Sequence, residues 1–131
     1  MLTYEATTAA SAAEAWSLMA EPDRWHEWAP HLRGANGLGH PEVEPGSKGV
    51  VRLLGAIPVP ARILGKTPGR QWTWQVGPAT LVHRVQPRRD GALVAVDIQA
   101  PRPIEAALAV TYGPLVQLLV RNLARQAASR R

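Results

Sequence analysis

Short turn-forming segments divide the middle of the chain into strand-sized pieces, and their spacing constrains the fold more than any other feature of the sequence. No segment between Gly34 and Pro101 shows a sustained helical period. Connections this short join antiparallel neighbours, because a parallel crossover needs a dozen or more residues. The sequence therefore predicts an antiparallel sheet, with turns at Glu44-Pro45-Gly46, Gly55 to Pro58, Pro68-Gly69, Gly77-Pro78 and Asp90-Gly91.

Seven strands fit this pattern. The first alternates apolar and polar residues from Leu2 to Thr7, before the turn-rich region begins. The other six are predicted near Ala35–Leu38, Gly49–Leu54, Val59–Lys66, Gln71–Val76, Thr80–Gln86 and Leu93–Gln99.

Two short helices are predicted directly after the first strand. Ser11, with Glu14 three residues later, has the spacing of a capping box and predicts a helix from about Ala12 to Met19. Asp23 predicts the start of a second short helix that runs through Trp28.

A long amphipathic helix is predicted after Pro103, where apolar residues return every three or four positions and line one face. Pro114 inside this segment removes a backbone hydrogen bond, so we expect a kink around Tyr112-Gly113-Pro114. The apolar face comprises Ile104, Leu108, Tyr112, Leu115, Leu119 and Leu123.

Composition excludes several classes of protein. With 131 residues the chain supports one core, so residues 1–131 are predicted to form a single domain. The chain has no Cys and no apolar run long enough to cross a bilayer, which predicts a cytoplasmic protein without a membrane span, metal or cofactor. The net charge is +5, but no aromatic residues interleave with it, so nucleic acid is not expected as a partner. An Arg-rich end is interpreted as a match to a helix C-terminal dipole and a solvated tail: Arg121, Arg125, Arg130 and Arg131.

The order and spacing of several segments resemble the START-like helix-grip (SRPBCC) superfamily, in its polyketide cyclase/dehydrase and lipid-transport branch. The resemblance covers nearly the whole chain. It implies an α+β fold in which a curved antiparallel sheet of about seven strands wraps around a long C-terminal helix, with a cavity for a hydrophobic small molecule between them. The segments that carry it are Ala12-Ala13-Glu14-Ala15-Trp16, Trp25 to Pro30, Arg70 to Trp74, His83 to Pro87 with Asp90-Gly91, and Tyr112 to Val116 through Asn122-Leu123-Ala124.

Trp72 and Trp74 lie two residues apart on a predicted strand and therefore point to the same, inner face of the sheet. Two interpretations remain open at this point. The indoles either form a wall for a planar ligand or supply packing volume in a chain that has five Trp and no Phe.

His83 shares a strand face with Leu81 and Val85, which points its imidazole into an apolar setting. It is either a ligand-contacting or acid/base group, or a core His whose hydrogen bonds are satisfied by the backbone or by Tyr112. The Tyr112 hydroxyl has the same two interpretations. If both reach the cavity, they form a candidate catalytic pair for ring closure or dehydration.

The remaining candidate ligand-binding residues lie on the inner strands and on helix faces. In the superfamily the second short helix borders the cavity mouth, so the resemblance makes Trp28 a candidate lid residue, although Trp28 and Trp25 equally suit the anchoring of that helix. His26 and His31 do not have the spacing of a zinc-protease motif, and no metal is expected. The other candidates are Val85, Val96, Leu108 and Leu115.

The leading hypothesis is that the chain binds a polyketide-, lipid- or aromatic-like small molecule. The residues leave open whether cyclase-, aromatase- or dehydratase-type chemistry follows, and whether the protein is a monomer or a homodimer. The alternative is a non-catalytic interaction or scaffold protein whose interior is filled by its own Trp side chains. A third hypothesis, a basic surface that binds anionic lipid or nucleic acid, predicts steep salt dependence instead.

Overall fold

One antiparallel sheet of seven strands forms the body of the fold, and the computed structural model describes residues 1–28, 32–53, 57–111 and 113–129. The spatial order of the strands is β1-β7-β6-β5-β4-β3-β2. Their bounds are β1 Leu2–Thr8, β2 Leu32–Asn36, β3 Lys48–Leu53, β4 Ile57–Thr67, β5 Gln71–Val76, β6 Ala79–Arg88 and β7 Gly91–Gln99.

The described helices are α1 Ala12–Ala20, a 3₁₀ helix Pro22–Glu27, α2 Arg102–Thr111 and α3 Gly113–Ser129. Together with the sheet they confirm the predicted α+β helix-grip architecture. No described helix is both long enough and apolar enough to cross a membrane.

Of the two helix starts predicted after β1, the first is confirmed and the second is wrong. Ser11 caps α1 as expected, since its side chain accepts a hydrogen bond from the Glu14 backbone N–H. The predicted role of Asp23 is wrong, because the 3₁₀ helix begins at Pro22 and its N-cap is Glu21. The kink predicted around Tyr112 stays a prediction, because residue 112 lies outside the described residues.

β1 and β2 lie at opposite edges of the sheet although they are consecutive in the chain. The α1 helix and the 3₁₀ helix carry the chain between them, and α1 packs against β6, β7 and α3. This crossing places the indole of Trp25 over the central strands, where it stacks on Trp72.

The strand register sets which side chains share the inner face. Trp72 on β5 pairs with His83 on β6, His83 pairs with Val96 on β7, and Val96 pairs with Tyr4 on β1. Directly paired residues in an antiparallel sheet project from the same face. These four side chains therefore form one row across the inner face, which we call the central row.

The C-terminal helix closes the inner face unevenly. In α3 the side chains of Val120, Leu123, Ala124 and Ala127 are buried, whereas most of the described side chains of α2 are exposed. The Thr8 hydroxyl on β1 donates a hydrogen bond to the Ala124 carbonyl at 2.7 Å. Gly113, at the start of α3, faces Tyr4, and a Cβ added there would lie 2.5 Å from the Tyr4 hydroxyl oxygen. The α3 helix thus packs closely against β1 and β7, while most of α2 faces solvent.

Candidate functional site

Strand alternation places three rings on the inner face at the middle of the sheet. Trp72, Trp74 and His83 are 1%, 5% and 6% exposed, respectively. The alternation of apolar and polar residues along β5 predicted the inward orientation of both indoles, and the structure confirms that orientation.

These three rings and Trp25 pack together into what we call the four-ring cluster. Trp72 stacks on His83, with ring centroids 4.2 Å apart and planes at 4°, and on Trp25 at 5.7 Å and 10°. Trp74 meets Trp25 and Trp72 edge-on, with both centroid distances at 5.2 Å. Because Trp72 is stacked against two neighbours, a planar ligand finds little free ring face on it. For the face of Trp72 the packing interpretation accounts for the geometry better than the ligand-wall interpretation.

The indole N–H groups divide into two sets. Trp16 donates to the Glu42 carboxylate at 3.0 Å, Trp25 to the Met19 carbonyl at 2.9 Å, and Trp28 to the Leu18 carbonyl at 2.9 Å. Trp72 Nε1 and Trp74 Nε1 are buried without a hydrogen-bond partner among the described residues. The Trp28 bond favours an anchoring role for that residue, and its predicted lid role stays a prediction.

Both imidazole nitrogens of His83, Nδ1 and Nε2, are also buried without a partner in the described part of the chain. No described backbone group satisfies them, so the core-His interpretation fails for the backbone. Tyr112, the other partner considered, lies outside the described residues.

Burial lowers the pKa of His83 from 6.5 to about 3, against an opposing effect of the Asp97 carboxylate. The imidazole is therefore neutral at neutral pH and offers one N–H donor and one bare nitrogen acceptor. A pKa this low makes it a weak general base near pH 7. The geometry suits a hydrogen-bonding group better than a group that carries protons.

The apolar residues of the inner face include both fully buried and half-buried side chains. Of the predicted ligand-binding residues, Val85 and Val96 are fully buried and Leu115 is half-buried, while the side chain of Leu108 lies outside the described part. Sequence reasoning missed Tyr4, although its alternating position in β1 was a usable signal. The half-buried apolar side chains larger than Ala that pack against the hydrophobic core include Leu2, Tyr4, Val76, Leu81, Val116 and Leu119.

Charged groups near the inner face are paired. Lys66 Nζ lies 3.3 Å from Glu42 Oε1, and the other Glu42 oxygen accepts from Trp16. A register shift between Ile63 and Gly65 brings Lys66 opposite Trp72, at the end of the central row. Its positive charge is therefore already compensated where the row ends.

The outer face of the same strands carries a separate polar cluster. Arg84 donates to both Asp97 oxygens, at 2.7 and 3.1 Å, and the Thr3 hydroxyl donates to Asp97 at 2.8 Å. The Arg84 guanidinium, with help from Thr3, holds the pKa of Asp97 below its usual range. Arg84 is half-buried and ion-paired, although it lies on the outer face.

Metal ligation finds no support in the described ranges, where no group of three or more His, Asp or Glu side chains is close enough to hold an ion. The structure at His31 and the side chain of His26 lie outside those ranges.

The sheet folded over α3, with the buried four-ring cluster on its inner face, defines a helix-grip protein. The chain belongs to the polyketide cyclase / dehydrase and lipid transport family, whose model matches residues 1–128. A search of curated protein sequences finds no significant match.

Solved structures share the fold at low sequence identity. A protein from Nitrosomonas europaea matches with a TM-score of 0.77 and 16% identity, covering 99% of this chain and 95% of that one. A protein from Mesorhizobium loti matches with a TM-score of 0.76 and 11% identity, covering 99% and 98%. The di-domain ARO/CYC protein StfQ from the steffimycin biosynthetic pathway matches with a TM-score of 0.75 and 13% identity, covering 98% of this chain and 50% of that one.

Proposed function

We propose that residues 1–131 form a single domain that binds an uncharged hydrophobic small molecule, polyketide-, lipid- or aromatic-like, between the four-ring cluster and the C-terminal helix. One observation carries the proposal: four ring nitrogens, on Trp72, Trp74 and His83, are buried without a partner among the described residues. An unpaired buried polar group costs about 1–3 kcal/mol. A ligand that accepts from the three N–H groups and donates to the bare imidazole nitrogen would remove that cost on binding.

The chemistry of the lining indicates an uncharged ligand. The central row consists of Tyr4, Val96, His83 and Trp72, and the imidazole is held neutral by burial. Lys66, next to this row, is already paired with Glu42. A charged ligand group would therefore lose its hydration without meeting an opposite charge, which is costly. Carbonyl or ether oxygens would instead accept from the indole N–H groups.

The half-buried apolar residues supply the surface against which the ligand would pack. Leu81 and Val76 lie beside the cluster, and Val116 and Leu119 approach from α3. Burial of their remaining exposed area stabilises a complex by about 25 cal/mol per Å² before the costs of association are subtracted. Membership of the family and the fold shared with StfQ support this proposal.

Displacement of an uncharged naphthylamine dye tests the proposal. We expect saturable dye binding and displacement by 1-acetylnaphthalene, a neutral ketone, at a concentration about tenfold below that of 1-naphthoate, because only the carboxylate must be desolvated unpaired. Trp74→Phe should weaken binding of the ketone. Trp16→Phe, which alters a buried indole bonded to Glu42, should leave that binding unchanged. Absence of saturable dye binding would favour the scaffold alternative.

His83 and Tyr112 are proposed as the groups that contact oxygen atoms of the ligand. Because His83 stays neutral down to about pH 3, it would position a carbonyl through a hydrogen bond in any cyclase- or dehydratase-type reaction. We expect His83→Ala and Tyr112→Phe each to weaken 1-acetylnaphthalene binding in the dye assay by about fivefold to tenfold, the effect of one hydrogen bond. Unchanged affinity in both variants would remove these two residues from the site.

A further inference from the structure

The exposed face of α3 combines aliphatic and cationic side chains in one stripe. Pro114, Leu118, Arg121 and Arg125 are the exposed residues at intervals of four, three and four along α3, and they lie opposite the buried face. Leu118 is 51% exposed, and Val110 at the end of α2 is 77% exposed. We call the four α3 residues the docking face.

The two Arg residues of the docking face are not explained by interactions within the fold. Neither Arg121 nor Arg125 forms an ion pair or hydrogen bond with a described residue, whereas Arg24 and Arg84 both bind carboxylates. The last described turn of α3 contains no basic residue, and Arg130 and Arg131 lie outside the described residues, so the predicted match of this end to the helix dipole stays a prediction. Like charges four residues apart on a helix repel each other.

The sequence adds no negative charge to this region. Beyond Glu105 the chain contains four Arg and no Asp or Glu. Leu118 precedes Arg121 by three residues on the same face, and an exposed Leu beside unpaired cations matches a surface that presents anionic headgroups above acyl chains.

We propose that the docking face binds the surface of an anionic lipid bilayer, with Leu118 entering the headgroup region and Arg121 and Arg125 contacting lipid phosphates. The aliphatic side chains favour a lipid surface over nucleic acid, whose bases would be bound by exposed aromatic rings. The helix that covers the inner face of the sheet would then lie against the bilayer. This inference does not depend on the proposed ligand.

Co-sedimentation with vesicles tests it, using the full chain and vesicles of phosphatidylcholine with or without phosphatidylglycerol. We expect binding only to the anionic vesicles. In Arg121→Glu/Arg125→Glu the affinity for these vesicles should fall by about tenfold or more, because each Arg near an anionic surface adds to the binding free energy. Leu118→Ser should lose about threefold to tenfold through the apolar contact.

Matched controls exist on the sheet. Arg62→Glu/Arg70→Glu makes the same charge change at exposed positions of β4 and the β4–β5 turn, and Leu64→Ser alters a Leu that is 43% exposed. Both controls should bind vesicles like the wild type. Equal losses in controls and docking-face variants, no binding of the wild type to anionic vesicles, or binding to a DNA duplex in place of vesicles would overturn the proposal. Retained dye binding in Arg121→Glu/Arg125→Glu would separate this result from the ligand site.

Discussion

His83 and Arg84 are neighbours on β6, and they project from opposite faces of the sheet. On the outer face, Arg84, Asp97 and Thr3 satisfy one another through three hydrogen bonds. On the inner face, both His83 nitrogens lack a partner in the described structure. The two faces share the same strands, and Asp97 is nearly as buried as His83, so neither strand nor burial alone decides whether a polar group is paired.

The five indoles repeat the same contrast. Those on or near the helices, Trp16, Trp25 and Trp28, each donate to an oxygen within the chain. Those on β5, Trp72 and Trp74, donate to no described residue. Internal pairing serves stability, and the groups left unpaired at the centre of the sheet are the ones that the proposed ligand would contact. Three experiments test this contrast.

The largest effect is expected on the outer face. Asp97→Ala leaves the half-buried Arg84 without its carboxylate partner, and we expect the free energy of unfolding to fall by about 3 kcal/mol. His83→Leu, which removes unpaired polar atoms, should be close to neutral or stabilising. Urea denaturation of both variants measures the difference. Equal destabilisation would show that the His83 nitrogens are satisfied in solution.

The second effect concerns His83 on the inner face and is expected as a loss of stability at acid pH. His83 has a pKa of about 3 in the fold against 6.5 unfolded, so between these values the unfolded chain binds a proton that the folded chain does not. Stability is then complete above pH 6.5 and falls by about 1.4 kcal/mol per pH unit below it. We expect a loss of about 3 kcal/mol by about pH 4.5, measured by denaturation across pH.

His83→Leu should abolish that slope and serves as its control. Asp97, whose pKa is lowered, contributes stability above its unfolded value of 3.8 and loses it only at lower pH, so the two windows are separate. A wild-type profile that is flat between pH 6.5 and 4.5 would contradict the burial of a neutral imidazole.

The smallest effect concerns the indole N–H groups alone. Trp25→Phe and Trp74→Phe remove similar volume from one cluster, but only the first leaves a buried acceptor, the Met19 carbonyl, unpaired. We expect Trp25→Phe to cost about 1–2 kcal/mol more in thermal or urea denaturation. If Trp74→Phe lowers the free energy of unfolding by as much, the Trp74 N–H has a partner within the chain. The contrast between the indoles of β5 and those near the helices would then not hold.

Most of the architecture was predictable from the periodicity of the sequence. Alternation along β5 and β6 placed Trp72, Trp74 and His83 on the inner face, because side-chain direction in a strand depends only on position. The element order was predicted for the same reason, although β2 was placed at Ala35–Leu38 and lies at Leu32–Asn36.

Features that depend on long-range contact were not predictable in this way. The register shift after Ile63 turns Lys66 toward Trp72, whereas uninterrupted alternation from Ile63 would direct it outward. Stacking of Trp25 on Trp72 depends on how the helical segment crosses the sheet. The pairing of each indole likewise depends on which carbonyl that crossing brings near.

The edge position of β1 has a consequence for how the chain is assembled. Among the described strands β1 pairs only with β7, which follows the other six in the chain, and it does so along its whole length from Leu2↔Ile98 to Thr8↔Ala92. The hairpins from β3 to β7 can pair as they emerge, but the first strand must wait for the last. A nascent chain therefore exposes the apolar side of β1 and α1 until β7 has been made, and we expect closure of the sheet to come late in folding, because it joins segments distant in sequence.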